Sequence, residues 1–122
     1  MAFPGTHNIS YYKGDTHEFQ VYPKNSQGGV FNLDGYGNAT FTISTARGTS
    51  GVSDQISAYC AISDDATYLT CAIRPADSAT MVAGTTYVYD VEITKPAAAG
   101  GYPYTYTLLT GNITVTDQVT GA

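Results

Sequence analysis

Five groups of side chains in this sequence are of types that do chemistry. His7 and His17, with Asp15 between them, supply two imidazoles and a carboxylate, a donor set that suits a transition metal. One histidine falls at the frayed start of a strand and the other at the start of the next, so the plainer reading is two solvated polar side chains. Asn32, Asp34 and Asn38 in one loop, and Asp64-Asp65 in a turn, carry the oxygen atoms that calcium takes, but they lack the acidic density and closing glutamate of a calcium loop. Asp and Asn are favoured in turns because they hydrogen-bond their own backbone, and that accounts for both groups. Cys60 and Cys71 are the only cysteines, and Tyr102, Tyr104 and Tyr106 recur at every second residue. No Gly-rich phosphate loop, nucleophile elbow or zinc-ligand spacing occurs. The expectation is a chain that is not an enzyme, with no catalytic residues, no cofactor and no metal.

The elements that must position these residues are strands. Period-2 alternation recurs along the chain and helical periodicity almost nowhere. Strands are expected at about His7 to Tyr12, with Ile9 and Tyr11 on one side, and at His17 to Tyr22, with Phe19 and Val21 inward; Lys13-Gly14-Asp15 supplies a kink between them. A Gly- and Asn-rich connection from Lys24 to Gly37 follows, with turn signals at Gly28-Gly29 and Asp34-Gly35. Asn38 to Ala46 should bury Ala39, Phe41 and Ile43 and turn Thr40, Thr42 and Ser44 outward. Arg47 to Ser53 reads as a loop.

Gln55 to Ile62 and Thr67 to Arg74 flank a turn at Asp64-Asp65-Ala66 and read as an antiparallel hairpin. Matching inward positions places Ile62 opposite Leu69, Cys60 opposite Cys71 and Ala58 opposite Ile73. Directly opposite cysteines would have β-carbons about 4.5 to 5.5 Å apart, close to but wider than a disulfide's usual span. Core thiols and a disulfide both stay open. Thr85 to Thr94 should bury Tyr87, Tyr89, Val91 and Ile93, and Lys95 to Gly101 is a hairpin loop. The last strand, Tyr104 to Thr116, changes apolar parity between Leu108 and Ile113, which predicts a bulge near Thr110-Gly111. The one helical candidate is Asp77 to Ala83, ended by Gly84. The tyrosine stripe, on one face beside the hairpin loop, is either an interface or core, because Pro103 and the bulge leave the last strand's orientation open.

At 122 residues the chain has the length of one domain, and it is expected to form a single unit over 1–122. With 43% hydrophobic and 12% charged residues it is neither a disordered tail nor a membrane protein. A net charge of -5 repels phosphate backbones, so no nucleic-acid partner is expected. Nothing approaches the roughly 20 apolar residues of a membrane-spanning helix. Met1 to Thr16 has neither a basic start nor an apolar run, so synthesis in a cytoplasm without a signal peptide is expected.

Seven short strands admit a sandwich or a barrel. Met81-Val82-Ala83-Gly84-Thr85-Thr86-Tyr87 resembles the tyrosine corner of immunoglobulin-like and fibronectin type III domains, with Met81, Gly84 and Tyr87 in its three places. More broadly, four segments resemble the β-sandwich domains of tailed-phage tail, baseplate and other virion proteins. They are Lys13-Gly14-Asp15-Thr16; Phe31-Asn32-Leu33-Asp34-Gly35; Gly84-Thr85-Thr86-Tyr87-Val88-Tyr89-Asp90-Val91-Glu92-Ile93; and the ending Leu108-Leu109-Thr110-Gly111-Asn112-Ile113-Thr114-Val115-Thr116-Asp117-Gln118-Val119-Thr120.

The resemblance implies an all-β, immunoglobulin/fibronectin III-like antiparallel β-sandwich of about seven strands with at most one short helical turn. It also implies a bacteriophage structural protein of the minor tail or baseplate type, located in the virion and assembling with other tail, baseplate or capsid proteins as a homo-oligomer or symmetric array. Two alternatives stand beside it. One is a capsid decoration protein. The other, of a different class, is a host-receptor or carbohydrate-binding adhesin in which Asp34, Tyr36 and the Gly-rich loop form the ligand site.

Overall fold

The computed structural model describes residues 5–24, 27–45, 55–97 and 100–117. The expected loop at Arg47 to Ser53, Ala46 at the end of its strand, Ala98-Ala99 in the hairpin loop and the ending Gln118 to Thr120 lie outside the described residues. The described chain is all-β: β1 (Gly5–Thr6), β2 (Ile9–Tyr12), β3 (His17–Val21), β4 (Asn38–Ser44), β5 (Ile56–Ile62), β6 (Leu69–Ile73), β7 (Thr86–Lys95) and β8 (Tyr104–Thr116), with one 3-10 turn at Asp77–Thr80. The strands form one curled sheet in the order β1-β8-β7-β4-β5-β6-β3, and β2 also lies against β8.

β5 turns the corner of this sheet. Its first half pairs with β4, Ile56 opposite Ile43 and Ala58 opposite Phe41, and its second half pairs with β6, Tyr59 opposite Ala72 through Ile62 opposite Leu69. The sheet thereby curls until the β3 ring of Phe19 meets Phe41 of β4 edge-on at 5.5 Å and Tyr89 of β7 at 6.4 Å. Alternation supplies the lining: Tyr87, Tyr89, Val91 and Ile93 of β7 are all buried, as are Ile113 and Val115 of β8.

Several expectations are corrected. The sheet is mixed, because β1 and β2 run parallel to β8 while the other ladders are antiparallel. Segments from distant parts of the chain need no tight turn to pair, so direction is free there. The strand expected at His7 to Tyr12 begins at Ile9, and a further short strand, Gly5–Thr6, precedes it across a break at His7-Asn8; both hold the same register, Gly5 opposite Leu109 and Ile9 opposite Ile113. At the break the His7 carbonyl accepts a hydrogen bond from the Tyr89 hydroxyl at 2.5 Å. A β-carbon on Gly111 would lie 1.9 Å from that carbonyl oxygen, so only glycine admits the approach.

The bulge lies earlier than expected: Val91 faces Leu109 but Glu92 faces Thr107, so Leu108 is the extra residue. Cys60 does face Cys71, whereas Ala58 faces Phe41 instead of Ile73 because β5 has left β6 by then. Ser44, expected outward, is buried. The helical candidate shrinks to four residues; the chain is already extended at Met81.

Candidate functional site

The tyrosine stripe continues the core into solvent. On the β7–β8 ladder Tyr106 faces Ile93 and Tyr104 faces Lys95, and Ile93 is fully buried, so these two tyrosines stand on the core-facing side of the sheet, with Tyr102 just before the strand. Tyr106 packs against the core, but Tyr104 is 44% and Tyr102 71% exposed. The hairpin therefore outruns the strands that would cover it. Tyr104 and Tyr106 are near parallel with centroids 6.5 Å apart, the two-residue repeat of a strand, and Tyr102 is 5.6 Å from Tyr104.

The connection between β3 and β4 adds two more rings. Phe31 lies 6.1 Å and Tyr36 6.3 Å from Tyr106, with 5.8 Å between them. Local geometry holds that connection in place. The Leu33 amide donates to the Ala66 carbonyl at 2.9 Å, burying Leu33, and the Asp34 amide donates to the Asn32 side-chain oxygen at 2.9 Å in an Asx turn. Gly35, at φ +84, then reverses the chain toward Tyr36. The Lys95 ammonium sits 5.3 Å from the Tyr36 ring centroid, a cation–π distance. Burial, with Tyr106 and Tyr104 beside it, pushes the Tyr36 hydroxyl above its ordinary range. These side chains offer ring faces, hydroxyls and one cation, the means of non-covalent recognition.

The other candidates divide. Met81 and Tyr87 are buried, Gly84 has φ +85, and the Tyr87 hydroxyl oxygen accepts the Val82 amide at 2.9 Å, so these three residues tie the chain into β7. The Gly84 amide donates to the Val115 carbonyl at 2.8 Å, which fastens the same corner to β8. His7 and His17 both lie against Phe19, with ring centroids at 6.2 and 5.8 Å, yet no group of three metal-ligating side chains converges among the described residues. Burial and then the neighbouring His7 lower the His17 pKa, and its Nε2 is buried without a hydrogen-bond partner. Asp65 accepts from the hydroxyls of Thr67 at 2.7 Å and Ser63 at 2.8 Å, which fixes it as a turn residue and lowers its pKa. Cys60 and Cys71 are free thiols whose sulfurs are 3.6 Å apart.

Sequence reasoning missed Phe31 and Lys95 as members of the aromatic end, since residues flanking a loop carry no periodicity. It also missed a mainly apolar cavity of about 400 Å³ where the two ends of the curled sheet approach, lined by Phe19, Val21 and Tyr22 on one side and Gly5, Leu108 and Leu109 on the other. No protein-family model matches the chain, and no curated protein is significantly similar to it.

Proposed function

We propose that this chain is an immunoglobulin-like β-sandwich serving as a non-enzymatic structural component of a tailed-phage virion, of the minor tail or baseplate type, that docks through its tyrosine-lined end. The sandwich reading takes β3 and β6 as a layer over β4, β7 and β8, entered through the corner at Met81, Gly84 and Tyr87. The observation that carries a docking role is the row Tyr102, Tyr104 and Tyr106, which extends core-facing surface into solvent and joins Phe31 and Tyr36. Contiguous exposed aromatic surface on a small domain marks an interaction site, and tyrosine is enriched at the centres of interfaces. The virion assignment itself rests on the four resembling segments.

Mass spectrometry of purified phage particles, with tails separated from heads, tests it. Recovery in the tail fraction at fixed stoichiometry is the expected result. Recovery in the head fraction at hundreds of copies supports a capsid decoration protein, and absence from both overturns the virion role. A receptor- or carbohydrate-binding reading is favoured by one finding: Tyr36, the ring of that candidate site, belongs to the same aromatic cluster as the stripe. Specific retention of glycans by the isolated chain on an array, lost in Tyr36→Ala, supports it.

A further inference from the structure

We propose that Cys60 and Cys71 form a redox-closable dithiol, a cross-strand pair that a low-molecular-weight disulfide converts into an intramolecular disulfide stapling β5 to β6. The two residues are directly opposite in the β5–β6 ladder, and their sulfurs are 3.6 Å apart. Bonding distance is near 2.05 Å, so the sulfurs need to close by roughly 1.5 Å, within reach of small side-chain rotations.

The two thiols differ in access. Cys71 is fully buried, whereas Cys60 is partly exposed and lines a gap of about 300 Å³ that opens where β4 and β5 diverge, beside Tyr36, Gly37 and Asn38. Cys60 is therefore the entry thiol. The contact between the two sulfurs lowers the Cys60 pKa, while the same contact and burial raise that of Cys71, which accords with entry at the more accessible thiol.

The Cys60 thiol loses its proton to solvent, and the thiolate attacks one sulfur of a disulfide RSSR, forming a mixed disulfide and expelling RS⁻, which is protonated to RSH. Cys71 then gives up its proton and attacks the Cys60 sulfur, expelling the second RS⁻, also protonated to RSH. The chain is oxidised by two electrons and RSSR is reduced to two RSH. The bond closes next to the point at which β5 passes from β4 to β6, so it pins the corner of the sheet.

The test is to incubate the full chain with oxidised glutathione, quench with iodoacetamide, and read thiols by intact mass and stability by thermal melting. Both thiols should disappear together in a monomer that retains no glutathione, with a melting temperature higher by roughly 5–15 °C and restored by dithiothreitol. A persistent glutathione adduct, a covalent dimer, or two alkylatable thiols after equilibration would overturn the proposal. In Cys60→Ser, Cys71 should stay unmodified and the melting temperature should not respond to glutathione. Modification of Cys71 in that variant at the wild-type rate would refute Cys60 as the entry thiol.

Discussion

Replacing Gly111 by alanine isolates the closest backbone approach in the fold. The new β-carbon would lie 1.9 Å from the His7 carbonyl oxygen, 2.7 Å from its carbon and 3.1 Å from a Tyr89 ring atom. Two of those atoms are backbone, so the segment that carries them must lift from β8. Overpacking of this kind costs about 1–3 kcal/mol. Lifting the segment also strains three hydrogen bonds: Tyr89 hydroxyl to His7 carbonyl at 2.5 Å, His7 amide to Thr110 carbonyl at 2.9 Å, and Asn112 amide to Asn8 side chain at 3.1 Å. Each is worth about 0.5–1.5 kcal/mol net, and weakening all three by about half brings the expected loss for Gly111→Ala to about 2–5 kcal/mol. For a domain of this size that is a fall of roughly 10–20 °C in melting temperature.

Two other glycines separate crowding from backbone conformation. Gly84→Ala meets nothing within 4 Å but sits at φ +85, so it should lose only about 1 kcal/mol. Gly37→Ala meets nothing and has no such φ, so it should be neutral or slightly stabilising. Denaturant unfolding gives all three values, and amide exchange should show 5–12 losing protection only in Gly111→Ala. If Gly111→Ala is no less stable than Gly84→Ala, the argument from close approach is wrong.

Tyr87→Phe removes the acceptor of the Val82 amide and keeps the ring, so stability should drop by about 1 kcal/mol in denaturant unfolding. Tyr102→Ala with Tyr104→Ala should leave stability within about 0.5 kcal/mol, since both rings are exposed, and on the proposed virion role should lower incorporation into particles at least tenfold in a complementation assay. Tyr106→Ala, which uncovers core, should lower the melting temperature as well. The pH dependence of melting should fall in two windows. Folding lowers the His17 pKa from 6.5, so the unfolded chain binds that proton more tightly; its contribution is complete above about pH 6.5 and is lost as pH falls through the folded value. The Arg74 hydrogen bonds, overcoming burial, hold the Asp77 carboxyl below its ordinary 3.8, and Thr67 and Ser63 do the same for Asp65, so their contributions persist above about pH 3.8 and are lost below it. His17→Phe should abolish only the upper window, as read by calorimetry from pH 8 to 3.

What was legible in the sequence was local or periodic. The alternation of Tyr87, Tyr89, Val91 and Ile93 defined the buried face of β7 because a strand has only two faces. Parity placed Cys60 opposite Cys71 for the same reason, and the turn at Ala66, held at φ +58, kept that register. The bulge was visible as a parity break, but its position was not. Leu108 and Leu109 are adjacent and equally apolar, and only the partner strand determines which residue is extra. The pairing of β1 and β2 with β8 joins opposite ends of the chain and has no local signature at all.

The candidate site shows the same boundary in one feature. Tyr102, Tyr104 and Tyr106 obey strand period, so spacing gives them a shared face but does not distinguish interface from core. The fold makes them a graded series, from Tyr106 at the core's edge to Tyr102 in solvent, because the β7–β8 hairpin extends past its cover. What decides the outcome is where the β3–β4 connection crosses: Leu33 anchors it to the β5–β6 turn, and Phe31 and Tyr36 reach Tyr106 while Tyr102 stays exposed. A longer connection would cover more of Tyr104 and turn exposed aromatic surface into core, so the length of this connection, as much as the tyrosines themselves, sets how much aromatic surface the chain presents.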